Sequence, residues 1–141
     1  MSVDEKANLK LLGKNQEDLK VISAYLQDSI LIIKDTVFLK QNRTFVMIVN
    51  RFMWEDAEKG VFRQNKRIRC AVKFDEVIKV ESRNINQKNK NKLLECLAIK
   101  CSSAFDETYK IKIFFAGDSI ITITSEVIEV TLHDLGKPWQ V

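Results

Sequence analysis

A chain of 141 residues is long enough to bury a sizeable core without disulfide or metal staples. Its 45% hydrophobic and 30% charged content excludes the composition of a disordered chain, and no apolar run approaches the roughly 18 residues of a transmembrane helix. The 23 basic and 19 acidic residues leave a net charge of +4, which permits anionic partners without requiring them.

The opening "MSVDEKANLK" lacks the apolar stretch of a secretory signal, so a cytoplasmic protein with no membrane association is expected. Three cysteines, Cys70, Cys96 and Cys101, suit a reducing compartment. "LKLL" at residues 9–12 reads as a short strand ended by Gly13. "NQEDLKVISAYLQDS" then carries the clearest helix pattern, from Asn15 to Asp28. Asn15 can cap the free N–H groups, Glu17 and Asp18 favour the positive end of the dipole, and Leu19, Ile22 and Leu26 share a face widened by Val21 and Tyr25.

From Ile30 the pattern becomes β. "ILIIK" and "VFLK" flank a predicted turn at Asp35-Thr36, and "QNR" precedes "TFVMIVNRF", whose two phases are both apolar, as in a central strand. Residues 55–66 read as a polar loop or short helix. "RIRCAVKF" alternates with Ile68, Cys70, Val72 and Phe74 inward. "NQKNKNK" is the most polar loop, "LLECLAIKC" is apolar on both phases, and "YKIKIFF" turns through Ala116-Gly117-Asp118 into "SIITIT".

The core Glu-Val-Ile-x-Val occurs twice, at Glu76 to Val80 and at Glu126 to Val130. Each copy follows an alternating strand, which favours strand–corner–strand in both places and a pseudo-repeated β unit. A helix over 126–135, capped by Ser125 and stopped by Gly136 and Pro138, is the alternative. The expected fold is α+β in a single domain: a mostly antiparallel sheet, strongly twisted or barrel-like, with one amphipathic helix. A pleckstrin-homology-like barrel with a C-terminal helix is the alternative architecture.

Catalytic constellations are scarce. His133 is the single histidine, so one chain cannot assemble a histidine cluster for zinc, and its neighbour Asp134 does not make a triad with it. Cys96 and Cys101, five positions apart on one strand, fall on opposite faces and read as core residues rather than ligands or nucleophiles. No phosphate loop, nucleophile elbow or zinc-protease pattern occurs. No cofactor or metal is therefore expected, and a non-catalytic role is favoured over an enzyme.

Two features remain. "NRFMWED" ends an apolar strand with polar groups, placing Asn50, Phe52 and Trp54 on one face and Arg51 and Met53 on the other. Asp28, Asn50, Arg51, Trp54 and Glu55 are the candidate residues for holding a protein partner or small ligand at a pocket mouth. A guanidinium on such a strand needs a partner, and Asp28 at the helix end is the expected one. The second feature is basic: Arg63, Lys66, Arg67, Arg69 and Lys73 could track phosphates, giving weak, salt-dependent nucleic-acid binding as the alternative function. A homo-oligomer is compatible with either reading.

The helix "EDLKVISAYLQD", the strand end "NRFMWE" and the terminal "LGKPW", in that order, resemble an uncharacterised alphaproteobacterial family, domain of unknown function 2948. The matching positions are Asp18, Leu19, Ser23, Gln27 and Asp28; Asn50, Arg51, Phe52, Trp54 and Glu55; and Leu135, Gly136, Pro138 and Trp139. The resemblance implies a cytoplasmic bacterial protein with no assigned activity, and it transfers no mechanism.

Overall fold

The computed structural model describes residues 9–53 and 66–140, the last four by backbone course alone. In chain order the elements are β1 (Lys10–Gly13), α1 (Gln16–Leu26), β2 (Ile30–Leu39), β3 (Thr44–Phe52), β4 (Lys66–Phe74), β5 (Val77–Arg83), β6 (Leu93–Ser103), β7 (Tyr109–Phe115), β8 (Ser119–Ser125) and β9 (Val130–Gln140). All pair antiparallel in one sheet of order β1-β9-β4-β3-β2-β6-β7-β8-β5, so the α+β class holds. The order does not close on itself and leaves β1 and β5 as edges. The last strand is inserted between β1 and β4, so no C-terminal helix forms among the described residues.

Alternation explains most of the core. Phe45, Met47 and Val49 of β3, Cys70, Val72 and Phe74 of β4, and Ile111, Ile113 and Phe115 of β7 join one buried cluster. The helix completes it. Asn15 Oδ1 accepts from the Asp18 N–H at 2.8 Å, and Leu19, Ile22 and Leu26 are buried, while Val21 is 51% exposed. β1 passes so close to α1 that a Cβ on Gly13 would lie 2.9 Å from Ile22 Cδ1. That approach suits a residue without a side chain, and the pairing of Gly13 with Val130 carries the strand through the glycine instead of stopping before it.

Two bulges depart from the sequence reading. Residues 30–39 form one strand rather than two joined by a turn at Asp35-Thr36. Between Leu31 and Thr36, β2 advances while its partner moves only from Val49 to Met47, and the Thr36 hydroxyl donates to the Ile33 carbonyl at 2.8 Å. On β6 a register shift between Cys96 and Ala98 changes the phase. Cys96 and Cys101 therefore both turn towards the core, not to opposite faces: Cys96 is buried and Cys101 packs against the same cluster.

The Glu-Val-Ile copies sit side by side at two corners. Each corner carries the chain from one half of the sheet to the other, β4 into β5 and β8 into β9. Glu126 N–H donates to Glu76 O at 3.0 Å, Asp75 N–H donates to Glu129 O at 2.9 Å, and Arg43 reaches both Glu76 (3.6 Å) and Glu126 (2.8 Å). Both follow the strand–corner–strand course, with one difference. Val77 opens β5, whereas Val127 is still in the corner and β9 begins at Val130.

Candidate functional site

β3 and β9 each carry one charged residue in an otherwise apolar inward row. On β3 the buried phase runs Phe45, Met47, Val49, Arg51, and on β9 it runs Val130, Leu132, Asp134. β4 lies between them, contributing Ile68 and Cys70. Two strand spacings amount to about 10 Å, a gap an extended arginine can span. Arg51 Nε donates to Asp134 Oδ1 and Nη2 donates to Oδ2, both at 2.7 Å, a fork-on-fork pair. Both side chains are 0% exposed.

Further groups surround the pair. Arg51 Nη1 donates to the Phe52 carbonyl at 3.2 Å, and the guanidinium carbon lies 5.7 Å from the centre of the Tyr25 ring. Asp134 Oδ2 accepts from the Leu9 N–H at 2.9 Å, and the Asp134 N–H donates to Leu9 O at 2.9 Å. Burial, reinforced by the negative charge of Asp134, pushes the Cys70 thiol up to about 12. Burial likewise pushes Cys96 up to about 11. Neither is a thiolate near neutrality, so neither is a ready nucleophile.

The expectation of a buried, paired Arg51 is met, but its partner is Asp134 and not Asp28. Asp28 lies past the helix end with φ 64, where its N–H donates to Cys96 O and its carbonyl accepts from Arg67 Nη1 at 3.1 Å. The same Arg67 nitrogen donates to Asn50 O at 3.1 Å, and the guanidinium lies 5.8 Å from the Phe52 ring centre. Arg67 thus ties α1's exit to β3 instead of standing free on the outer face. Asn50 and Lys66 are half-buried, Arg69 is exposed, and Lys73 is exposed 3.6 Å from Asp75. Trp54, Glu55 and Arg63 lie outside the described residues. Asp134 is the residue the sequence reading passed over, although the alternation Val130, Leu132, Asp134 places it inward.

A different region offers open space. β2 pairs with β6 only from Ile30 to Ile32, opposite Glu95 to Leu93, before the bulge carries it away. β5, the edge strand, flanks the gap. The resulting cleft of about 290 Å³ has Leu31, Ile33, Phe45, Leu94 and Ile121 among its walls, with Thr36, Ser82, Gln87 and Lys90 as its described polar members. The loop at its rim is held down: Ile33 N–H donates to Lys92 O at 3.3 Å, Lys34 N–H to Lys90 O at 2.9 Å, and Gln87 Nε2 to Ser82 Oγ at 2.9 Å. Among the described residues no group of three or more His, Cys, Asp or Glu side chains could hold a metal, and no helix is long and apolar enough to cross a membrane.

A family model described as Protein of unknown function (DUF2948) matches residues 9–141, nearly the whole chain. The chain belongs to that family. Of the segments that carry the DUF2948 resemblance, the helix supplies Tyr25 and the strand end supplies Arg51. The first two meet at the ion pair, whose carboxylate, Asp134, immediately precedes the third, "LGKPW". Neither the curated proteins nor the solved structures yielded a match.

Proposed function

We propose that this DUF2948 protein is a non-catalytic binding module. Its β2–β5 cleft takes a small ligand with an apolar body and an anionic head. One observation carries this reading: an apolar cleft of about 290 Å³, near the low end of ligand-site volumes, with Lys90 as the cation among its described polar groups. The apolar walls would bury the ligand body, and Lys90 would meet a carboxylate or sulfonate. Supporting a non-catalytic role, the buried charges are committed to each other and the buried thiols are held protonated. The three free cysteines fit a cytoplasmic setting.

Octanoate and octanol, titrated by calorimetry, test the reading. Octanoate should bind to the native protein and lose affinity in Lys90→Ala, whereas octanol should be indifferent to that change. Ile121→Trp, which fills the cleft, should abolish binding of both, with Leu94→Phe as a gentler filling variant. Octanoate binding that survives both filled variants, or no binding at all, refutes the cleft as the site.

A further inference from the structure

The outer face of β6, β7, β8 and β5 carries a cationic pattern distinct from the arginines of β4. The register places three rungs across these strands. In the middle rung Lys100 lies directly opposite Lys112, with Thr122 and Glu81 continuing the row. Like charges facing each other across an antiparallel pair oppose sheet formation. Both lysines are exposed, and neither meets a carboxylate within salt-bridge distance among the described residues. In the next rung Lys110 Nζ donates to Thr124 Oγ1 at 2.7 Å, and Lys79 follows on β5.

The third rung changes character. Phe114 and Ile120 are half-buried side by side, and Arg83 closes the row on β5. With Leu97 they line a shallow hollow of about 410 Å³, and Lys100 Nζ stands 5.8 Å from the centre of the Phe114 ring. Among the described residues, five cations (Lys79, Arg83, Lys100, Lys110, Lys112) thus face outward over these rungs against two carboxylates: Glu81, which lies 3.6 Å from Lys79, and Asp118, in the turn that borders the hollow.

We propose that this face binds single-stranded nucleic acid. Lys110 and Lys112 stand two residues apart on one strand, about 7 Å, a step an extended phosphodiester chain can match with successive phosphates. A phosphate between Lys100 and Lys112 would convert their repulsion into a shared contact. The Phe114 ring in its hollow offers one base a stacking surface. A membrane surface fits less well, since among the hollow's described apolar groups Leu97 alone is exposed, at 46%, while Phe114 and Ile120 are half-buried. The cleft opens on the inner side of these strands, so the two proposals stand or fall separately.

Fluorescence anisotropy with a labelled oligothymidylate about 15 nucleotides long, at about 50 and about 200 mM salt, tests it. Native protein should bind, with affinity falling steeply as salt rises. Lys112→Ala should weaken binding and reduce the logarithmic salt slope by about 0.7, the share of one phosphate on a single strand. Phe114→Ala should weaken binding on the order of tenfold and leave the slope unchanged. Arg69→Glu, on the β4 face, should change little. Because Lys112→Ala relieves a repulsion, its melting temperature should not fall, which separates lost binding from lost fold. Binding that ignores Lys112 and Phe114, binding that fails equally in Arg69→Glu, or binding to phosphatidylserine vesicles but not to the oligonucleotide overturns the proposal.

Discussion

The Arg51–Asp134 pair and the β2–β5 cleft are opposite solutions to burial. At the pair, two charges are withdrawn from water and held by hydrogen bonds to each other and to the Leu9 and Phe52 backbone. At the cleft, apolar side chains line space left open among the described residues. Of the two regions, the charged one is therefore the more self-sufficient. A buried charge must find its partners inside the fold, whereas apolar walls can wait for a ligand.

Breaking the pair should have the largest effect. Arg51→Ala leaves Asp134 buried with one cation missing and should cost about 3–5 kcal/mol in chemical denaturation. The double variant Arg51→Met with Asp134→Leu should recover most of that loss, because two apolar groups need no partner. If the double variant is no better than the single one, the pair holds the strands by geometry that shape alone cannot replace.

At the cleft, Ile121→Ala should cost about 2 kcal/mol, the low end for removing a large aliphatic side chain, because the wall already borders a void. A loss near 5 kcal/mol would mean that the cleft is tightly packed in solution. The smallest effect belongs to Arg43, whose ion pairs at the two corners are substantially exposed. Arg43→Ala should change stability by no more than about 1 kcal/mol and less at high salt, since screened surface pairs contribute little.

Much of the strand content was legible because one face of each strand packs on a single core. "RIRCAVKF" and "YKIKIFF" declare their inward residues by simple alternation. What alternation cannot reveal is an inserted residue. The bulges in β2 and β6 produced the false turn at Asp35-Thr36 and the misplaced face of Cys101. Nor does a sequence state strand order. That Arg51 needed a carboxylate followed from the cost of an unpaired buried charge; choosing Asp134 over Asp28 required knowing that β9 lies next to β4. The basic residues of β4 raised the same difficulty. Arg67 looks like a surface cation until the carbonyls of Asp28 and Asn50 are placed beside it.

The insertion of β9 between β1 and β4 also has a consequence for synthesis. Asp134 meets Arg51 across 83 residues and Leu9 across 125, among the longest separations the chain contains. On a ribosome, β4 keeps an unpaired edge on that side, and Arg51 waits for Asp134, until β9 has been made. Contacts of such sequence separation form slowly, and a waiting strand edge invites pairing with another chain. The sheet is thus completed only once β9 emerges, and β9 is the strand that neutralises the buried guanidinium.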